Sequence, residues 1–269
     1  MTAIGTNTAK KTAALEQAKK KRRRAWLALV LIVLVIVAAG FGIFCAGRIL
    51  FSANPRFKLR ELRIDGAGYW KEHQDELIRK IELKMGTNLF LLDMKQLREK
   101  VKNIANVDDC SVIRVLPDTL IFQITERVPR AFLGNAQSPW VVDGKGIIMH
   151  RKQSMTSYNA LPVITDVSLR GAKVGKELQS IRPAVDLIMM TVHSFPDFRI
   201  YRVSMKNPDK MKILLRYRKF PIYQVLLPVK NRGVSLSFHV LQSAIIDAKK
   251  NNETRTHYDL SYDNNVVIN

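Results

Sequence analysis

The feature that most restricts the fold of this chain is an apolar run close to its N-terminus. Residues 25–46 follow one another without a single charged side chain. Wound as a helix, the run would extend about 33 Å, which is enough to cross the hydrocarbon core of a bilayer. Because only a helix satisfies its own backbone hydrogen bonds in that core, the run predicts one transmembrane helix over residues 25–46.

The charges on either side of the run predict its orientation. Six consecutive basic residues, 19–24, come directly before it, whereas only Arg48 follows closely behind it. Cytoplasmic flanks of membrane helices carry an excess of Lys and Arg, so residues 1–24 are predicted to form a basic cytoplasmic tail. Residues 47–56 are then interpreted as a linker. The residues assigned to anchoring and topology are Lys21, Arg22, Arg23, Arg24 and Trp26, the last at the position of an interfacial aromatic.

A cleaved signal peptide is the competing interpretation of the same run. The apolar region of such a peptide usually spans about 7–15 residues and ends at a cleavage site with small residues. The run is longer than that, although Phe51-Ser52-Ala53 offers a weak cleavage-like sequence. We therefore expect the anchor to be retained.

The charge of the chain limits the choice of partners. The formal net charge is +21, of which the tail through Arg24 contributes +7 and the rest of the chain +14. Anionic lipid head groups explain the charge of the tail. The charge of the exported part would suit acidic envelope polymers, lipids or an acidic protein, and the predicted topology disfavours nucleic acid.

The pattern over residues 57–128 predicts a small α+β domain. Its order is a strand at 58–65, a helix around 77–81 stopped by Gly86, a helix capped by Asp93, and strands at 110–116 and 119–126. Two helices packed on one face of a three-stranded sheet would bury the apolar positions of all five elements.

Several segments of this region carry a family resemblance. They are residues 62–66 (Leu-Arg-Ile-Asp-Gly), 86–93, 112–120 and the Glu126-Arg127-Val128-Pro129 segment. These segments resemble the polypeptide-transport-associated (POTRA) domain of the FtsQ/DivIB family of bacterial cell-division proteins. Outer-membrane assembly factors share this domain, so its fold alone does not define a function.

Residues 129–269 resemble the second domain of the same family, a mostly antiparallel sheet with flanking helices. A hairpin is expected at 140–148, and amphipathic helices are expected at 177–192 and 235–249. The last segment, 256–268, is similar to the closing strand of the family, with Ser261 in place of the family's arginine. The fold class is therefore predicted to be α+β, with a transmembrane helix, a POTRA domain and a C-terminal β domain.

No catalytic or metal-binding motif stands out from the sequence. A nucleophile elbow, a zinc-protease helix and a phosphate-binding loop are all missing, and the five histidines are scattered. Gly144-Lys145-Gly146 fits a hairpin turn better than a phosphate loop. The Asp108-Asp109 pair precedes a predicted strand and fits loop solvation or capping better than an acid/base dyad. We expect no enzyme activity and no cofactor.

The resemblance implies a scaffold of the division machinery in the inner membrane. The family's partners are FtsB- and FtsL-like bitopic coiled-coil proteins, one of which adds a strand to the edge of the second domain. The residues that the resemblance assigns to partner binding are Tyr262, Asn264, Asn265 and Val266. Tyr262 could instead simply pack at the end of a sheet. The implied location is the division septum, with the folded domains outside the cytoplasm and close to peptidoglycan.

Two other functional classes fit the same sequence features. One is an envelope translocation or assembly factor that uses the POTRA domain as a chaperone, although such factors normally carry repeated copies of it or a membrane barrel. The other is a basic glycan-binding protein of the envelope, which the +14 charge would support.

Overall fold

The computed structural model describes residues 5–52, 54–154, 161–230, 233–262 and 265–268. Its first element is a long helix, α1, over Gly5–Ser52, which includes the predicted transmembrane span. Within α1 the stretch Trp26–Arg48 is long and apolar enough to cross a membrane, and its side chains are exposed. A short 3-10 turn at Pro55–Phe57 follows, since proline cannot continue the hydrogen bonding of a helix.

The chain divides into two compact units. One contains α1 and the chain through Arg60, together with Met85–Leu92 and Leu116–Asp118. Within this unit, Leu59 N–H donates to the Thr87 carbonyl at 2.9 Å, and Gly86 N–H donates to the Leu59 carbonyl at 2.9 Å. The segment after α1 is thus hydrogen-bonded to the loop at residues 85–92.

The other unit begins with a three-stranded sheet and its helices. Strand β1 pairs in parallel with β3, and β3 pairs antiparallel with β2, so the sheet order is β1-β3-β2. The predicted order of elements is confirmed, with one extra short helix before the first predicted one. The elements are β1 Glu61–Asp65, α2 Tyr69–Glu72, α3 Gln74–Ile81, α4 Met94–Lys102, β2 Val107–Val115 and β3 Thr119–Glu126.

One of the two predicted helix ends in this region is confirmed and the other is wrong. Asp93 caps α4 as predicted, because its carboxylate accepts hydrogen bonds from Lys95 N–H at 2.9 Å and Gln96 N–H at 3.1 Å. The prediction that Gly86 ends the preceding helix is wrong. That helix ends at Ile81, and Glu82 takes the left-handed conformation with φ of 56° that usually favours glycine.

The rest of the described chain forms a nine-stranded sheet in the order β12-β11-β10-β9-β8-β7-β4-β5-β6. The pairs β4–β7, β7–β8 and β10–β11 are parallel and the other neighbouring pairs are antiparallel, which agrees with the predicted, mostly antiparallel domain. The elements are β4 Pro129–Leu133, β5 Trp140–Asp143, β6 Ile148–His150, β7 Val163–Thr165, α5 Arg182–Ser194, β8 Phe198–Ser204, β9 Lys210–Tyr217, β10 Ile222–Pro228, α6 Val234–Lys250, β11 His257–Tyr262 and β12 Asn265–Ile268.

Two helices cover one face of this sheet and close its core. Alternate residues of the central strands point into that core, and α5 and α6 add their apolar faces. Helix α5 begins at Arg182, later than predicted, with Pro183 in its first turn, where a missing N–H costs nothing. Each large apolar side chain buried in this way contributes about 1.5–3 kcal/mol. The core residues of β9, α5 and α6 include Met211, Ile213, Leu215, Tyr217, Val185, Ile188, Phe238, Leu241 and Ile245.

Candidate functional site

The C-terminal strands form one edge of the nine-stranded sheet. Strand β11 runs parallel to β10, with Val225 opposite Tyr258, and β12 folds back antiparallel onto β11. Within the described part of the chain, β12 has a neighbour on one side only. Its other side presents unpaired backbone N–H and C=O groups, which are the groups that an added strand would bind.

The residues predicted to bind a partner lie at the turn of this edge. Tyr262 is the last residue of β11 and pairs with Asn265, the first residue of β12, and Val266 follows in β12. Asn264 lies outside the described residues. The backbone therefore brings three of the four predicted residues together at one corner of the sheet.

Ser261 belongs to a small polar group on β11. Its hydroxyl donates to the Asp259 carboxylate at 2.5 Å, and its N–H donates to the same oxygen at 2.9 Å. Lys210 Nζ lies 3.8 Å from the other Asp259 oxygen. Serine thus binds the acid within its own strand, and a lysine of β9 supplies the positive charge. Lys210 could not be predicted as a partner of Asp259, because nothing in the spacing of the two residues along the sequence relates them.

The inner side of β11 is fixed in the core. Tyr258 and Leu260 are buried, and the rings of Tyr258 and Tyr223 lie 5.8 Å apart in a T-shaped contact. Burial raises the pKa of both tyrosines above their ordinary value. Strand β11 is therefore held firmly in the core, and the edge strand β12 is paired with it.

A second polar cluster joins the three-stranded sheet to the nine-stranded sheet; we call it the Arg127 cluster (Arg127, Asp108, Asp143 and Lys145). The Arg127 guanidinium donates to Asp108 at 2.8 Å and to Asp143 at 3.0 Å. Lys145 Nζ lies 3.1 Å from Asp108. The Arg127 side chain is 13% exposed and that of Asp143 only 7%, so these charges are largely shielded from water.

This cluster corrects the sequence interpretation of the Asp108-Asp109 pair. Both residues lie within β2 instead of a loop, and both form ion pairs, Asp109 with Arg98 at 3.1 Å and with Lys102 at 3.3 Å. The Gly144-Lys145-Gly146 segment is the predicted hairpin turn. The Asp143 carboxylate accepts from Lys145 N–H and Ile147 N–H across that turn, each at 2.8 Å.

Asn106, directly before β2, links helix α2 to the turn Arg151–Gln153 that follows β6. Its carbonyl oxygen accepts from the Trp70 indole N–H at 3.0 Å, and its amide donates to the Gln153 carbonyl at 2.6 Å. The Gln153 amide then donates to Glu76 at 3.0 Å. Because Asn106 is fully buried, each of these bonds replaces one to water that is no longer available.

Burial shifts the pKa of two titratable groups near this junction. Burial raises the pKa of Glu126, whose carboxylate accepts from Trp70 N–H at 2.9 Å. Burial raises the pKa of the Cys110 thiol to about 11, so this thiol stays protonated at neutral pH. Among the described residues, no group of three or more His, Cys, Asp or Glu side chains is placed to hold a metal ion.

Fold and site together define a class: a chain with a candidate membrane helix, a POTRA domain and a sheet domain whose edge strand β12 has no outer neighbour among the described residues. The resemblance to the FtsQ/DivIB family of cell-division proteins is confirmed by comparison with known sequences. Residues 57–127 match the sequence model of the POTRA domain, FtsQ-type.

Curated relatives extend the similarity to most of the chain. Cell division protein FtsQ of Koribacter versatilis is 24% identical over 221 residues, covering 80% of this chain and 61% of the relative. Cell division protein DivIB of Clostridium acetobutylicum is 21% identical over 165 residues, covering 60% of this chain and 65% of the relative. Cell division protein FtsQ of Corynebacterium glutamicum is 25% identical over 165 residues. The chain thus spans less than two thirds of the length of the first two relatives.

Proposed function

We propose that this protein is a non-catalytic scaffold of the bacterial cell-division machinery. The similarity to proteins named FtsQ and DivIB, together with the FtsQ-type POTRA domain, supports a role in division. The single observation that carries the scaffold role is the edge strand β12, whose outer side has no neighbouring strand in the described chain. Such an edge binds another chain through its backbone and needs no reactive side chain.

The partners in this proposal are FtsB- and FtsL-like bitopic coiled-coil proteins. One of them adds an extended segment beside β12, and the residues that give specificity are Tyr262, Asn264, Asn265 and Val266. Each new backbone hydrogen bond contributes about 0.5–1.5 kcal/mol, and an aromatic anchor adds apolar contact at the corner of the sheet. The complex helps to recruit or regulate septal peptidoglycan synthesis.

The location in this proposal is the inner membrane at the septum. Helix α1 spans the bilayer, the tail with Lys21, Arg22, Arg23 and Arg24 stays in the cytoplasm beside anionic lipids, and Trp26 lies at the interface. Trp26 is exposed on α1, as a lipid-facing side chain must be. The folded domains then lie outside the cytoplasm, close to peptidoglycan.

The test is co-purification of the full chain in detergent with the host's small bitopic coiled-coil division proteins. We expect the wild type to capture them and Tyr262→Ala to lose most of that capture. Tyr201→Ala is the matched control, because Tyr201 is a half-buried tyrosine of the same sheet on β8, well away from β12. Circular dichroism checks that both variants fold.

Each outcome of that experiment has a definite meaning. If both variants lose capture equally, or if Tyr262→Ala still captures the partner, the binding site does not lie on the last strands. No capture by the wild type would refute the scaffold role. High salt should leave a backbone-paired complex largely intact, whereas binding of an acidic glycan through the +14 charge would be lost.

A further inference from the structure

The end of the anchor helix packs against a loop that lies more than thirty residues further along the chain. Three phenylalanine rings meet there: Phe51 at the end of α1, Phe57 in the following turn, and Phe90. The ring centroids of Phe51 and Phe90 lie 5.3 Å apart, and those of Phe57 and Phe90 lie 5.1 Å apart at nearly right angles. We call the segment Met85–Leu92 the Phe90 loop.

Hydrogen bonds from one buried amide hold the Phe90 loop in this position. The Asn88 side chain donates to the Phe51 carbonyl at 2.9 Å and to the Asn54 carbonyl at 3.2 Å. Its carbonyl oxygen accepts from Phe90 N–H at 2.8 Å, which starts the short 3-10 turn Leu89–Leu91. The helix end and the loop therefore form one continuous, hydrogen-bonded surface within their compact unit.

This surface exposes large apolar side chains. Leu50 and Phe51 are exposed on the last turn of α1, and Leu91, the last residue of the 3-10 turn in the loop, is 60% exposed. Two basic side chains, Arg56 and Lys58, are exposed in the segment between them. Apolar side chains beside exposed cations are the composition of a surface that lies in the head-group region of a membrane.

The depth of this surface follows from the length of the anchor. The apolar span of α1 ends at Arg48, and Phe51 comes three residues later, about 4.5 Å further along the helix axis. Interfacial segments bury their apolar faces about 5–10 Å into the boundary between head groups and acyl chains. Since the Phe90 ring touches Phe51, the Phe90 loop lies at that same boundary.

We propose that the Phe90 loop is a second membrane contact, in which Phe90 and Leu91 enter the interface beside the end of α1. The inference rests on the membrane anchoring of α1 in the proposed function. The occupant of the surface is lipid because the surface continues directly from the lipid-facing side of α1. A partner protein or a second copy of the chain on the same surface is an outcome that the test separates.

The test uses the full chain in nanodiscs of phosphatidylethanolamine and phosphatidylglycerol. Cys45 and Cys110 are replaced by alanine, and a nitroxide spin label is placed at Leu91→Cys. Leu236→Cys on α6 is the matched control, because Leu236 is 59% exposed, almost the same as Leu91. Ile36→Cys, 64% exposed in the middle of α1, reports on the anchor itself. Collision with oxygen reports lipid, and collision with a water-soluble nickel complex reports water.

We expect the ratio of oxygen to nickel accessibility at position 91 to be several-fold higher than at position 236 and lower than at position 36. A ratio at 91 equal to that at 236 would overturn the inference. Low accessibility to both reagents at 91 would also overturn it, because protein would then cover the loop. If position 36 is itself in water, the anchoring in the proposed function fails. Lipid at 36 with water at 91 refutes the loop contact alone, and neither result depends on partner capture.

Discussion

Arg127 shows how a single residue can join two parts of a fold. Its guanidinium bonds Asp108 of β2 and Asp143 of β5, and only 13% of its side chain is exposed. A shielded cation between two carboxylates adds little net stability compared with an apolar side chain of similar size, but its loss leaves the acids unpaired. The main effect of Arg127 is therefore to hold β2 and β5 in a defined arrangement. Its net contribution to the stability of either sheet is small.

We predict that Arg127→Met lowers the free energy of unfolding by about 3 kcal/mol, since Asp143 remains buried without its partner. The urea-unfolding midpoint of the full chain in detergent measures this change. Arg63→Met is the control, because the Arg63–Glu61 pair is largely exposed and its loss should change stability by no more than about 0.5 kcal/mol. Equal effects of the two substitutions would contradict a structural role for the cluster.

At the scale of elements, the direction of the backbone N–H groups of β12 allows strand addition to be tested. In an antiparallel strand, successive N–H groups point to opposite sides, so one of Val266 and Val267 faces β11 and the other faces outward. We predict that Val266→Pro and Val267→Pro differ. One removes a bond within the sheet and lowers stability, whereas the other removes an outward N–H and lowers partner capture at unchanged stability.

Co-purification and thermal unfolding of the two proline variants measure these effects side by side. Two variants that lose capture only in proportion to lost stability would argue against strand addition at this edge.

Much of the order of helices and strands between residues 57 and 128 could be predicted from the sequence, because local residue patterns specify it. Alternating Leu62 and Ile64 predicted β1, and Asp93 predicted the start of α4. The end of α3 at Ile81 could not be predicted, since the left-handed conformation that follows it is adopted by Glu82, a residue type that does not favour it. The division into domains at 57–128 and 129–269 stays a prediction.

The long-range contacts around Asn106 could not be predicted from local sequence patterns. Asn106 bonds Trp70, 36 residues before it, and Gln153, 47 residues after it, and no periodicity relates such positions. In the candidate site, the position of Tyr262 was predicted from the family resemblance. The neighbouring Asp259–Lys210 ion pair could not be predicted, because it depends on how β9 and β11 are placed in the sheet.

At the scale of the whole molecule, the described chain combines a buried thiol and mutually bonded polar residues with two surfaces suited to binding. Cys110 is a protonated, buried thiol, and the polar residues between the two sheets are occupied with one another. These surfaces are the outer side of β12, which has no neighbouring strand in the described chain, and the apolar loop at the end of α1. A scaffold needs both a point of attachment and a binding edge.

Hydrogen–deuterium exchange of the full chain, with and without the bitopic division partner proposed above, tests the central claim most directly. Strand addition gives the outward N–H groups of β12 new hydrogen bonds, so we predict slower exchange in peptides covering residues 257–268 when the partner is bound. Peptides of β6, at the opposite edge of the sheet, should exchange unchanged. Protection at β6 or in the first domain, with residues 257–268 exchanging as in the free protein, would contradict the account.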